Sequence, residues 1–463
     1  MRNWLNNMNA LILSALSGVI MMFSGFFLNT KAAVRTLAHI LLIAIIAVAV
    51  LELRGVQIVE VDTRGMMSFD GFALLFTIIA AFSTLVFFIL SSRDMERVGL
   101  NYSDYFALIF FVLCGITLTA SFKSMLILFL GIEILSIPLY VLTGTDKRNL
   151  KSNEASLKYF LMGAFSTGLM LMGITLIYGA TGTFYTTQMV LPEGQVPVLF
   201  TTGLLMLLFA MAFKVSAAPF HFWTPDVYDG APTVFTSFMA TVVKAAGFIA
   251  FLRLFADAFG GIREEWKLVV AIITAMTLFV GNITAVFQQS VKRMLAYSSI
   301  AQAGFMMLAI YTLSSEARDG MLLYAASYSL ATIGIFAVLI KMQDYTFDGF
   351  NGFAKAHPAI AASLVIFLLS LAGIPLTAGF MSKFYMLKGV VETGSMWLAI
   401  FAVIMAAISV YYYFRLIQAM YFKSGTAPAL EFSGGFKYTL YALAAATIIL
   451  GVFPNVLLYW LYF

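Results

Sequence analysis

The sequence predicts an all-α polytopic membrane protein of about fourteen transmembrane helices, on three observations. Hydrophobic residues make up 62% of the 463 and charged residues 11%, against about 25% charged in a soluble domain. Apolar runs of about 20 residues, the length that crosses a bilayer, recur from one end of the chain to the other. No hydrophilic gap between them could hold a separate soluble domain of ~50 residues or more, so the chain reads as one membrane-embedded domain.

Hydropathy with charged and Pro/Gly punctuation places the spans near 8–28, 34–51, 69–91, 105–120, 124–143, 156–180, 198–218, 232–256, 267–288, 294–313, 320–342, 359–391, 395–421 and 437–461. The first resembles a signal peptide in its early arginine, but its apolar run is long and no A-x-A site follows it. The twelfth is too long for one straight crossing. Pro375, in L-A-G-I-P-L-T-A-G-F, is expected to divide it into two half-helices, as Pro219 does in the seventh.

Lysine and arginine set the orientation. With the N-terminus outside, about fourteen of these residues fall in inside loops and nine outside. The expected placement is therefore the cytoplasmic membrane of a bacterium, with both termini periplasmic. The net charge of +5 reflects this bias, and no nucleic-acid signature accompanies it. A single cysteine, Cys114, cannot ligate an iron-sulfur cluster, which takes about four thiolates. His39, His221 and His357 lie far apart in sequence, so a redox cofactor within this chain is not expected.

F-K-S-M-L-I-L-F-L-G-I-E (Phe122 to Glu133) aligns without a gap on V-K-R-M-L-A-Y-S-S-I-A-Q (Val291 to Gln302), which sets Gln302 opposite Glu133. A proline-broken helix with a lysine follows in each half. The expected organisation is N-terminal helices in 1–100, a first five-helix repeat in 101–258, an inverted second repeat in 259–425 and a last helix in 426–463. Inverted repeats with discontinuous helices are a transporter architecture, with the site near the midplane at the breaks.

The candidate chemistry gathers around the stretch from Lys214 to Lys244, where two lysines flank Pro219, Pro225 and Pro232. A charge at membrane depth costs at least ~2.5 kcal/mol and is expected to face protein or water, and broken backbone is tolerated only in the same places. Glu133 lies mid-span and cannot reach either interface. Its contact with Lys214 is expected to form a switch, in which the lysine holds its proton while the glutamate is near and releases it otherwise. Lys244 and Lys383 read as further protonatable stations. Lys158, nearer the inner end of its span, and His221, inside the first break, are further candidates. Asp226 and Asp229 either close the inner mouth or, in the favoured reading, cap the next helix.

H-F-W-T-P-D-V-Y-D-G-A-P-T between Lys214 and Lys244, Glu133 in G-I-E, and A-G-I-P-L-T-A-G-F with Lys383 resemble subunit N of the proton-pumping NADH:quinone oxidoreductase, respiratory complex I. The resemblance covers essentially the whole chain. It implies an antiporter-like membrane-arm subunit in which the matching glutamate and lysines form a polar axis for proton translocation. It also implies neighbouring membrane-arm subunits, including antiporter-like sisters and a lateral helix from one of them. Flavin, iron-sulfur clusters and quinone would belong to other subunits. Lys383 and a chain ending just after its last span side with subunit N among the sisters. The competing readings are a subunit of a multisubunit Na+/H+ antiporter of the same fold and a non-conducting structural membrane subunit.

Overall fold

Hydrocarbon offers backbone N–H and C=O groups no partner, so a spanning chain must satisfy them within helices. The protein does so throughout its computed structural model, which describes residues 8–56, 59, 61–99, 101–189, 196–425 and 430–461. The first six crossings are α1 (Asn9–Phe27), α2 (Lys31–Leu53), α3 (Gly71–Val98), α4 (Tyr102–Ser121), α5 (Met125–Thr143) and α6 (Leu150–Thr181). The seventh is split into α7 (Val198–Lys214) and α8 (Trp223–Gly230). The eighth runs through α9 (Thr233–Phe238), a π-helical turn (Met239–Val243) and α10 (Lys244–Ala258). Next come α11 (Arg263–Val286), α12 (Val291–Thr312) and α13 (Ser315–Leu339). After the short α14 (Phe353–Ala356), the twelfth crossing is split into α15 (Pro358–Ala372) and α16 (Ala378–Glu392). The last two are α17 (Met396–Phe422) and α18 (Gly434–Val452), followed by the short α19 (Asn455–Leu458).

Twelve helices among the described residues are long and apolar enough to cross a membrane; the two split crossings bring the number to fourteen, as expected. Several boundaries differ, α3 for example running on to Val98, and two of the differences have local causes. The sixth helix begins at Leu150, where the Asn149 side chain accepts from the Lys151 N–H. The fourteenth stops at Val452, because Pro454 brings no N–H and constrains the residue before it.

Helices α12 and α13 and the eighth crossing form the centre, with 94%, 100% and 94% of their apolar windows buried, whereas α2, α6 and α18 at the rim bury 33% each. The two five-crossing halves, α4–α10 and α11–α17, repeat their local geometry. Ser124 and Ser290 each precede a helix start and bridge a residue beyond the next helix, Tyr185 and Thr346. The Met125 N–H donates to the Phe184 carbonyl at 2.9 Å, and the Val291 N–H to the Tyr345 carbonyl at 2.7 Å. A side chain at Gly115 or Gly281 would strike the facing helix backbone, at Leu135 and Ala301 respectively. Counting from the matched serines corrects the repeat register by three residues. Ser299, not Gln302, stands opposite Glu133, and Gln302 stands opposite Ser136. Three residues turn a helix by about 300°, so the face is nearly kept and the sequence alignment misses the slip.

One buried charge ties the end of the first repeat to α4 and to the start of α3. Arg253, 6% exposed, donates to the carbonyls of Phe122 and Ala120 and forms an ion pair with Asp70 at 2.8 Å. Asp70 also caps α3 by accepting from the Ala73 N–H at 2.9 Å. Burial pushes the Asp70 carboxyl up, but the Arg253 guanidinium outweighs it and holds the group below its usual range. The stabilisation from this pair is therefore complete above the unfolded carboxylate pKa of ~3.9 and drains away as pH falls through the lower folded value. Asp70→Asn keeps a capping side chain and removes only the charge. We expect it to cost about 1.5 kcal/mol, the low end for a charge-assisted bond because Asp70 is partly exposed. The readout is an earlier thermal unfolding midpoint in detergent at neutral pH, with the difference from the parent shrinking on acidification.

Candidate functional site

The first break leaves Lys214 as the last residue of α7, where the negative end of the helix dipole favours a cation. Its ammonium donates to Ser136 Oγ at 3.2 Å, Thr167 Oγ1 at 3.3 Å and Tyr140 OH at 3.4 Å. Glu133 does not touch it. Instead the Thr167 hydroxyl donates to Glu133 Oε1 at 2.6 Å, so one hydroxyl on α6 joins the carboxylate on α5 to the ammonium on α7. Beyond the lysine the chain turns through Ser216, at a φ of 64°, and the cis Ala218–Pro219 bond before α8 begins.

Lys244 follows the π-helical turn at Met239–Val243, whose extra residue shifts the helix face that the lysine presents. The side chain is 3% exposed. Its ammonium donates to Ser299 O and Ser299 Oγ, both at 2.9 Å, and lies 5.8 Å from the centre of the Tyr228 ring. Ser299 is the residue that the matched caps set opposite Glu133.

At the second break Gly373 (φ 84°) and Leu376 (φ 72°) turn the chain between α15 and α16 around Pro375. The end of α15 exposes carbonyls that have no partner within the helix. Lys383, 5% exposed, reaches back from α16 to donate to two of them, Leu371 O at 2.7 Å and Ala372 O at 3.2 Å. Its ammonium also lies 4.3 Å from the centre of the Phe305 ring, close enough for a cation–π attraction. Gln302 shares the same acceptor, donating to Leu371 O at 2.8 Å and to Tyr413 OH at 3.0 Å. Tyr324 donates to Gln302 Oε1, and Tyr413 OH also meets Ser298 Oγ. From Ser298 to Lys383 the polar contacts are therefore continuous. Tyr328, one turn from Tyr324, faces Ser299 and Thr332 without closing a hydrogen bond to protein.

Between Lys214 and Lys244 polar contact gives way to an aromatic wall. Tyr140 meets Tyr159 with ring centres 4.7 Å apart, Tyr159 stacks on Trp223 at 4.7 Å, and Trp223 meets Tyr228 at 6.1 Å. Among the described residues the lysines thus fall into three polar groups, Glu133–Thr167–Lys214, Lys244–Ser299 and Ser298–Tyr413–Gln302–Lys383, with aromatic side chains between the first two.

Lys158 lies apart from both. It pairs with Glu154 at 2.7 Å and Asp226 at 3.0 Å on the rim, 41% exposed, and Arg293 reaches the same Asp226 at 3.2 Å. The capping role expected of Asp226 and Asp229 is not what the fold gives them. Asp226 sits in the first turn of α8 and both face Arg293, Asp229 at 4.0 Å. His221 is 7% exposed inside the break, and its Nδ1 meets no hydrogen-bond partner; it does not reach the Lys214 ammonium. Thr167, Ser136, Tyr140, Ser299 and the tyrosines escape a sequence reading that weighs only ionisable groups. Hydroxyls recurring at helical spacing inside very apolar helices, as at Tyr324, Tyr328 and Thr332, are the signal that points to them.

Residues 122–409 match the family described as NADH:quinone oxidoreductase/Mrp antiporter, TM. The chain is 39% identical to NADH-quinone oxidoreductase subunit N of Cytophaga hutchinsonii, over 97% of this chain and 99% of that one. Against the same subunit of Flavobacterium psychrophilum the identity is 36%, with coverage of 97% and 99%. Among solved structures, a chain of respiratory complex I from Thermus thermophilus with bound aureothin superposes with a TM-score of 0.84 at 31% identity, covering 97% of this chain and 98% of that one. A chain of the Mrp complex from Dietzia shares the fold at a TM-score of 0.84 and 18% identity, over 98% and 95% of the two chains. Full-length identity at this level, the family match and fourteen crossings with the seventh and twelfth broken agree: the chain belongs to the NADH-quinone oxidoreductase subunit N family, the antiporter-like membrane subunits of complex I.

Proposed function

We propose that this subunit translocates protons across the membrane, driven by electron transfer in the flavin-, iron-sulfur- and quinone-bearing subunits of the same complex. One observation carries the proposal. Lys214, Lys244 and Lys383 are held by hydroxyls and carbonyls, and among the described residues none has a carboxylate within ion-pair distance. A buried ammonium paired with a carboxylate is static, since removing either charge strands the other. An ammonium held by neutral acceptors can lose its proton without stranding a partner. Glu133, one hydroxyl away from Lys214, supplies the field that a moving charge would modulate. The switch expected from direct contact becomes a relay through Thr167.

The path runs in two segments. Glu133, Thr167 and Lys214 form the first, and Tyr140 beside them also lines an open surface groove with Ser156 and Asn153. Lys244 with Ser299, and then Ser298, Tyr413, Gln302 and Lys383 starting from the adjacent residue of α12, form the second. A proton must pass the aromatic wall to go between them, which makes rearrangement or wetting at Tyr159 and Trp223 the controlling step. Lys158, Asp226 and Arg293 form an ion cluster at the mouth of the first break, in place of a station on the buried route. Neighbouring membrane-arm subunits cover the flanks. The membrane is the bacterial cytoplasmic membrane, with both termini on its periplasmic side.

Two experiments on the fully assembled, reconstituted complex test this. Thr167→Val keeps the shape and removes the hydroxyl. It is expected to lower the protons moved per NADH oxidised and to slow coupled quinone reduction severalfold, while Thr167→Ser restores both. Equal pumping in parent and Thr167→Val would remove the relay. Lys244→Ala and Lys383→Ala are each expected to abolish this subunit's share of pumping, and Tyr413→Phe, which leaves Gln302 and Ser298 without a shared hydroxyl, to lower it in part. Sodium-dependent exchange without NADH oxidation would assign the chain to the antiporter reading instead. Full proton yield in a Lys214→Ala/Lys383→Ala complex would reduce it to a spacer.

A further inference from the structure

At one membrane face α2 begins, α3 and α13 end and α18 begins. Helices α2 and α18 flank α3 there, and the gap between them is a cleft of about 580 Å³. Its lining is basic, with Arg35 from α2, Arg93 and Arg97 from the last turns of α3, and Lys341 just beyond α13. The carboxylates that face this cluster account for only part of the charge. Glu96 holds Arg35 at 3.0 Å, and Asp94 holds Lys341 at 2.6 Å with Arg97 beyond it at 3.8 Å. Glu431 on the cleft wall is the remaining acid. Among the described residues Arg93 has no ion-pair or hydrogen-bond partner, and Arg97 is 79% exposed. Two guanidiniums therefore stand open to a ligand with acceptor oxygens.

Two further features choose the ligand. The N-terminus of α18, a helix of 19 residues, opens on the cleft with Ser433 as its cap, so backbone N–H groups and the positive end of the dipole add to the guanidiniums. The wall below is apolar, formed by Ile89, Leu90 and Phe436, and Ile89 is 47% exposed toward the outer surface of the bundle. Charge at the end of the spans with hydrocarbon directly beneath matches a molecule with an anionic head and an acyl tail. We infer that this cleft binds the phosphodiester headgroup of an anionic membrane phospholipid, with Arg93 and Arg97 on the phosphate and an acyl chain along Ile89. Basic pockets between transmembrane helices hold such headgroups through the same combination of forces. A lipid bound there would join α2 and α18 across α3.

The test uses the assembled complex, stripped of lipid in detergent and returned to phosphatidylcholine vesicles holding a trace of photoactivatable phosphatidylglycerol. Crosslinked peptides are read by mass spectrometry. Labelling is expected on α2, α3 and α18, competed by unlabelled phosphatidylglycerol but not by added phosphatidylcholine or inorganic phosphate. Each arginine near a membrane surface contributes about 1 kcal/mol, so Arg93→Gln/Arg97→Gln should weaken labelling by about thirtyfold. Arg93→Lys/Arg97→Lys should retain most of it. Undiminished labelling in the glutamine variant overturns the inference. Competition by inorganic phosphate at matched concentration also overturns it, in favour of a soluble-anion site. So do crosslinks from these helices to a neighbouring subunit in place of lipid, which would show that protein covers the cleft.

Discussion

An ammonium in hydrocarbon must find oxygen atoms, and an unbroken α-helix has almost none to spare. Much of this fold answers that constraint. At each of the three mid-membrane lysines the helix is irregular. Lys214 closes α7 at the first break, Lys244 follows a π-helical turn, and Lys383 reaches back to carbonyls released by the second break. The irregularities supply or aim acceptors at the depth where the charges lie, and the surrounding protein shields the opened backbone from lipid.

The protein treats its buried charges in two ways, and the contrast is informative. Arg253 has carbonyls and a carboxylate around it and ties α10 to α3 and α4. Glu52, wholly buried, accepts from the Asn9 and Ala10 N–H groups and so closes the start of α1. At these sites the buried group is held by several partners at once. The three lysines have only neutral acceptors, and Tyr328 and Thr332 beside the second cluster keep hydroxyls without a protein partner. The first kind of site ties helices together; the proposed proton transfer draws on the second.

The halves share a scaffold and differ in chemistry. The serines that precede α5 and α12, their bridges, and the glycine contacts with α4 and α11 coincide, yet the position of Glu133 is taken by Ser299 and that of Ser136 by Gln302. The first half places a carboxylate next to its lysine through one hydroxyl. The second has the Ser299 hydroxyl in the carboxylate's place, and an amide with a set of tyrosines extends its polar region while adding no charge. The aromatic wall of Tyr159, Trp223 and Tyr228 marks the boundary.

Fourteen crossings, the breaks at Pro219 and Pro375 and the buried lysines were legible in the chain, because hydropathy, proline chemistry and the cost of burying charge act on residues one at a time. The family was legible too, since its motif is contiguous. The cap geometry moved the repeat register by three residues, which no comparison of apolar helices detects. Thr167 between Glu133 and Lys214, the carbonyls under Lys383 and the ion pairs that draw Lys158 to the rim were settled by tertiary structure alone. A lysine's need for a partner is written in its own chemistry. Which partner meets it depends on the rotation and depth of neighbouring helices, set by packing across the whole bundle.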